Sequence, residues 1–151
     1  MKINKFIILL LFFSISSCSY QPIFSKKNNL DLKLQKIEAE GNKNIGRKII
    51  ALLNLDEGEN IDSSRILKLI SEKKIDPAAR DKAGAISMYR ITITVDLSLM
   101  ESDKIIRSKF FTSDFSYNVL KNKFDLLQYQ KSIEINLIQN IADEILVFLN
   151  L

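Results

Sequence analysis

Histidine is absent from this 151-residue sequence, and cysteine occurs once, at position 18. Without histidine, the commonest general base and the commonest transition-metal ligand are both missing. A single cysteine excludes any disulfide within the chain. Glycine is scarce too. Gly41, Gly46, Gly58 and Gly84 are the four present, none closely paired, so there is no phosphate-cradling glycine loop. No internal repeat or low-complexity segment appears. Acid pairs do occur, such as Asp56 with Glu57 and Asp143 with Glu144, and they read as ordinary solvated charges. Asp96 and Asp114 fall among polar strand neighbours, which suits a wet face better than a catalytic dyad. These absences point away from an enzyme, and no cofactor or metal is expected.

What is present begins at the N-terminus. Lys2 and Lys5 precede Phe6 to Phe13, an unbroken apolar run of eight residues, and small residues then lead to Cys18. Charge, apolar core and small residues in that order make a secretory signal. A helix needs roughly 20 apolar residues to cross the hydrocarbon layer, so the run is short for a span. A permanent membrane anchor, with Cys18 an ordinary thiol, is the competing reading. Ile15-Ser16-Ser17-Cys18 resembles the bacterial lipobox, whose cysteine receives diacylglycerol. Lipidation would also account for an unpaired thiol in an exported protein. Ser19 follows, with no Asp at that position; by resemblance to enterobacterial lipoproteins this favours the outer membrane, with the chain lipid-anchored on its periplasmic side. Removing residues 1–17 takes away two lysines and no acid, lowering the formal charge from +4 to +2. So small a charge on an exported domain does not support nucleic-acid binding.

Residues 18–29, with Pro22 and Lys26-Lys27-Asn28-Asn29, read as a tether. The single domain then spans residues 30–151. Leu30, Leu32 and Leu34 alternate with polar residues, the period of a half-buried strand reaching Glu38. Gly41 and Asn42 break it. Ile45, Ile49, Leu52 and Leu53 share one face of a helix from Lys43 to Leu55. A second short helix is expected from a cap at Asp62 or Ser63, carrying Ile66, Leu67, Leu69 and Ile70 and stopped by Asp76-Pro77. Residues 76–86 read as loop or an irregular helical turn.

The strongest periodicity follows. Tyr89, Ile91, Ile93, Val95, Leu97 and Leu99 alternate with Arg90, Thr92, Thr94, Asp96 and Ser98, giving a strand with one apolar and one polar face. Glu101 to Lys104 is a turn. An extended run from Ile105 to Val119 changes parity between Phe110 and Phe111, which predicts a bulge or a split there. Phe124 to Leu149 is a long amphipathic helix, with Ile133, Leu137, Ile141 and Ile145 at steps of four and Leu127 widening the stripe. At about 26 residues it would be roughly 39 Å long.

The polar strand face carries Arg90, Thr92 and Thr94, joined by Arg107 and Lys109 from the partner strand. A solvated sheet face is one explanation, because antiparallel sheets commonly leave one face to water. A site for an anionic amphiphile, where cations meet phosphate, is the other. Phe110, Phe111, Phe115 and Tyr117 read as core by strand propensity.

Cys18-Ser19-Tyr20-Gln21-Pro22-Ile23-Phe24 resembles the Cys-Gly-Phe-x-Pro-Leu-Tyr opening of LPS-assembly lipoproteins of the LptE family, in their alphaproteobacterial form. Tyr89-Arg90-Ile91-Thr92-Ile93-Thr94-Val95 is similar to that family's Tyr-Arg-Leu-x-Val strand. Phe115-Ser116-Tyr117-Asn118, followed by the long helix, resembles its second half. Ser19 stands where the family usually has glycine, and residues 56–86 match no part of it. The resemblance implies an α+β fold, a two-layer sandwich with helices on one face of a small, mostly antiparallel sheet. It also implies a place inside an LptD-like outer-membrane β-barrel, with lipopolysaccharide as the transported lipid. Arg90, Arg107 and Lys109 are the candidate lipopolysaccharide contacts, and Cys18 the lipidation site. Two other classes stay open: an adaptor for a cell-wall synthase or secretion channel, and a lipid carrier acting alone.

Overall fold

The structure is a computed structural model that describes residues 32–58 and 64–150. The signal, the tether and the expected cap at Asp62 or Ser63 lie outside the described residues. In chain order the elements are β1 (Lys36–Gly41), α1 (Lys43–Leu53), β2 (Arg65–Arg80), β3 (Ile86–Glu101), β4 (Lys104–Asn118) and α2 (Lys123–Asn150). The strands form one sheet in the order β1-β2-β3-β4. β1 pairs parallel to β2 across the α1 connection, and the other two pairings are antiparallel. Both helices pack on one face, so the fold is a two-layer α+β sandwich, as the element order implies.

Period-two patterning decides which residues face the helices. Ile91, Ile93, Val95 and Leu97 of β3 are fully buried, and Leu67 and Leu69 of β2 and Phe111 of β4 join them. From the helices come Ile45 and Ile49 of α1 and Ile133, Leu137, Ile141 and Ile145 of α2. Leu127, expected on the α2 stripe, is exposed, and its neighbour Leu126 packs on the core instead. Among the described residues no helix is long and apolar enough to cross a membrane.

The junction between β1 and α1 requires glycine. Gly41 has φ +71°, and a Cβ on it would sit 2.3 Å from the carbonyl oxygen of Ser71. That oxygen accepts the Asn42 N–H at 2.7 Å, and the Ser71 hydroxyl donates to the Asn42 carbonyl at 2.8 Å. Asn42 also caps α1, its side chain accepting from the Ile45 N–H.

Four expectations about the strands are corrected. The helix expected from residue 62 is instead β2, a strand of 16 residues. Ile66, Leu67, Leu69 and Ile70 fit either period, and pairing on both sides selects the strand, with Leu67 and Leu69 inward and Ile66 and Ile70 outward. Pro77 is tolerated because β1 reaches only Ser71, so the missing N–H lies along an open edge. The stretch 76–86 continues that strand to Arg80 and then turns. There Asp81 accepts the N–H groups of Ala83 and Ala85, both at 2.9 Å. Finally, the register runs unbroken past Phe110 and Phe111, which pair with Asp96 and Val95 and so lie on opposite faces of the sheet. The irregularity falls nearer the turn, opposite Leu99 and Met100, where Ile106 is the extra residue. The first strand also starts later than expected. Leu34 is buried in an isolated bridge to Glu57, and regular pairing begins at Lys36.

Candidate binding surfaces

The sheet's second face carries no helix, and its side chains follow from the register. Towards the β2–β3 turn the rows are polar: Asp76, Arg90 and Ser116, then Lys74, Thr92 and Asp114, then Glu72, Thr94 and Thr112. Arg90 donates from Nε to the Ser116 hydroxyl at 3.2 Å and lies 3.5 Å from the Asp114 carboxylate. Near the other end Lys36 pairs with Glu38 at 2.8 Å, and Lys68 with Glu40 at 2.9 Å. The hydrogen bond and charge of Glu38 raise the Lys36 pKa, and Lys36 lowers that of Glu38 in return. Such exposed pairs are worth little in stability. They set a face of alternating charge.

Arg107 and Lys109 are not on this face. They share the parity of Phe111 and lie on the helix side of β4. The Arg107 guanidinium stands 4.7 Å from the centre of the Phe148 ring, and the Lys109 ammonium 4.9 Å from that of Phe111. β4 is an edge strand, so long basic stems can cover core aromatics while their charges reach water. Arg90 sits level with Ser116, nine residues along β4 from Arg107, or about 30 Å at strand rise. The three candidate cations are therefore a pair and a distant single.

Three features had no counterpart in the sequence reading. Glu134 of α2 binds Lys48 of α1 at 2.9 Å and Lys73 of β2 at 2.7 Å, joining both helices to the sheet. Burial pushes its carboxyl up, but hydrogen bonds from Lys73 and Lys48, with their charges, outweigh this and hold its pKa below the usual value. A groove of about 320 Å³ runs between the helices, lined by Lys48, Ala51, Leu52, Ile135, Ile138 and Gln139. Tyr117, buried beside Tyr89 and Tyr129, accepts a hydrogen bond from Gln130 at 2.6 Å. Each joins different elements, so spacing along one element could not reveal it.

The class this architecture defines is a two-layer α+β domain with one open sheet face. The same fold occurs in the rare lipoprotein B from Shewanella oneidensis, with a TM-score of 0.55, 14% identity, and coverage of 76% of this chain and 93% of that one. A minor lipoprotein from Acinetobacter baumannii is similar too, with a TM-score of 0.54, 16% identity, and coverage of 76% of this chain and 90% of that one. At such identities the shared property is the fold. No family model matches the chain. No curated protein matches it either.

Proposed function

We propose that this chain is an LptE-like envelope lipoprotein, anchored through Cys18 to the outer membrane, that plugs an LptD-like β-barrel and assists its assembly for lipopolysaccharide transport. The observation that carries the reading is the fold shared with solved lipoproteins over three-quarters of the chain. The lipobox-like Ile15 to Cys18 stands ahead of that domain. Two or three acyl chains on Cys18 would anchor stably where a single chain would be marginal. The open sheet face, with its alternating charges, suits the polar interior of a large outer-membrane barrel. The role is non-catalytic: the domain occupies the lumen, blocks leakage and fixes the partner's fold.

The test is co-purification with a large barrel protein, and loss of that barrel when the lipoprotein is depleted. A barrel that assembles and exports lipopolysaccharide normally without it would sink the reading. Direct lipid contact has a separate test. Arg107→Ala with Lys109→Ala should weaken lipopolysaccharide binding by the complex, and Arg90→Ala, remote from that pair, should weaken it less.

A further inference from the structure

The open sheet face changes character at the end bearing the β3–β4 turn. Ile105 is 62% exposed, Ile106 44%, Phe110 62% and Ile70 43%. Ile66 and Met100 lie level with Ile105 in the same row. The bulge produces this concentration. Met100 faces outward and sets Ile105 on the outer face, and Ile106 precedes inward-facing Arg107, so both isoleucines project together. Ile70 and Phe110 are set apart by the polar row Lys68, Ser98 and Ser108 and by Asp96 between them, so the adjacent patch is Ile66, Met100, Ile105 and Ile106. Single exposed apolar residues are ordinary, but an adjacent patch marks a contact.

The placement of the chain says what the contact is. Regular pairing of β1 starts at Lys36, level with Ile66, and Leu32 packs on the core just before it. The segment leading back to Cys18 therefore leaves the domain at this same end. Thirteen residues separate Cys18 from Leu32, a reach of about 45 Å at full extension. Lys104 follows the turn acids Glu101 and Asp103 and supplies a cation next to the isoleucines, whereas Arg107 lies on the helix side of the strand. Exposed aliphatics beside a lysine, at the end from which the tether leaves, suit the boundary between lipid headgroups and acyl chains. A second copy would not need the cluster to coincide with the tethered end.

We infer that the β3–β4 hairpin tip is a membrane-contact site, with Ile105 and Ile106 entering the phospholipid interface while Lys104 meets lipid phosphate. The inference goes beyond the barrel reading and rests only on its acylation of Cys18. Anchor and hairpin then hold the domain with its β2–β3 turn pointing away from the bilayer.

The experiment uses the full acylated chain in vesicles of phosphatidylethanolamine and phosphatidylglycerol. Acylation occupies Cys18, so an introduced cysteine is the free thiol for a polarity-sensitive fluorophore. At Ile105→Cys the emission should shift to the blue and be quenched by lipid-borne quenchers. At Ala83→Cys, in the opposite turn, it should do neither, and adding Ile106→Ser should reduce the signal at 105. Equal, aqueous spectra at both positions on vesicle-bound protein would overturn the inference alone. A blue shift at 105 that depends on protein concentration and resists lipid-borne quenchers would assign the patch to a second copy and overturn it too. Protein that stays off the vesicles would overturn the acylation reading and this inference together.

Discussion

The two faces of β3 are built from alternate residues of one strand and obey different constraints. Ile91, Ile93, Val95 and Leu97 are fully enclosed, each touching helix or neighbouring strand. Arg90 and Asp96 between them are exposed, and Thr92 and Thr94 half-buried, under no covering layer. Close packing makes the inner face sensitive to a single methylene, and the outer face has no such constraint. Stability is therefore concentrated on one side of the sheet, and the other is free to specialise for contact.

The widest separation should come from paired substitutions on that strand. Ile93→Ala should cost about 2–5 kcal/mol in urea unfolding, because it removes buried methyl groups and leaves a cavity. Its neighbour Thr94→Ala should stay within about 0.5 kcal/mol. Comparable losses at both positions would mean that the outer face is covered in solution.

Glu134 should give the next largest effect. Glu134→Gln should cost about 1–2 kcal/mol at neutral pH, since hydrogen bonds from two ammonium groups lose their charge. The folded-state pKa of Glu134 is depressed, so its contribution is complete above the ordinary carboxylate range. It is lost as pH falls through the depressed value. The stabilities of parent and variant should thus converge in acid, and a difference that stays constant with pH would show that the two lysines do not act through its charge. The smallest effect belongs to Arg90→Ala. Its exposed contact with Asp114 should be worth less than about 0.5 kcal/mol in a thermal melt, and less still at high salt.

Much of this arrangement was legible in the sequence where one period ran long enough. The alternation from Tyr89 to Leu99 placed β3 on both its faces, and steps of four from Ile133 to Ile145 located α2. β2 was hidden because its four apolar residues sit in two adjacent pairs, a spacing that serves either element until partners are known. The same limit misplaced Arg107 and Lys109. Assuming a bulge at Phe110 moved them to the polar face, whereas unbroken alternation back from buried Phe111 puts them on the helix side. The Glu134 bridge needed α1, β2 and α2 assembled before its lysines could be recognised.

The parallel pairing of β1 with β2 bears on the order in which the fold assembles. β2, β3 and β4 follow one another through two short turns, and the second, Ser102-Asp103, has the two positive φ values of a tight hairpin turn, 48° and 64°. Those pairings are local and form early. β1 finds its partner about thirty residues away, across α1, and is held by six register pairs on one side only. Loop closure precedes that gain, so β1 docks late and frays first. In hydrogen exchange its amides should open well before those of β3, leaving the strand beside the tether as the least protected part of the sheet.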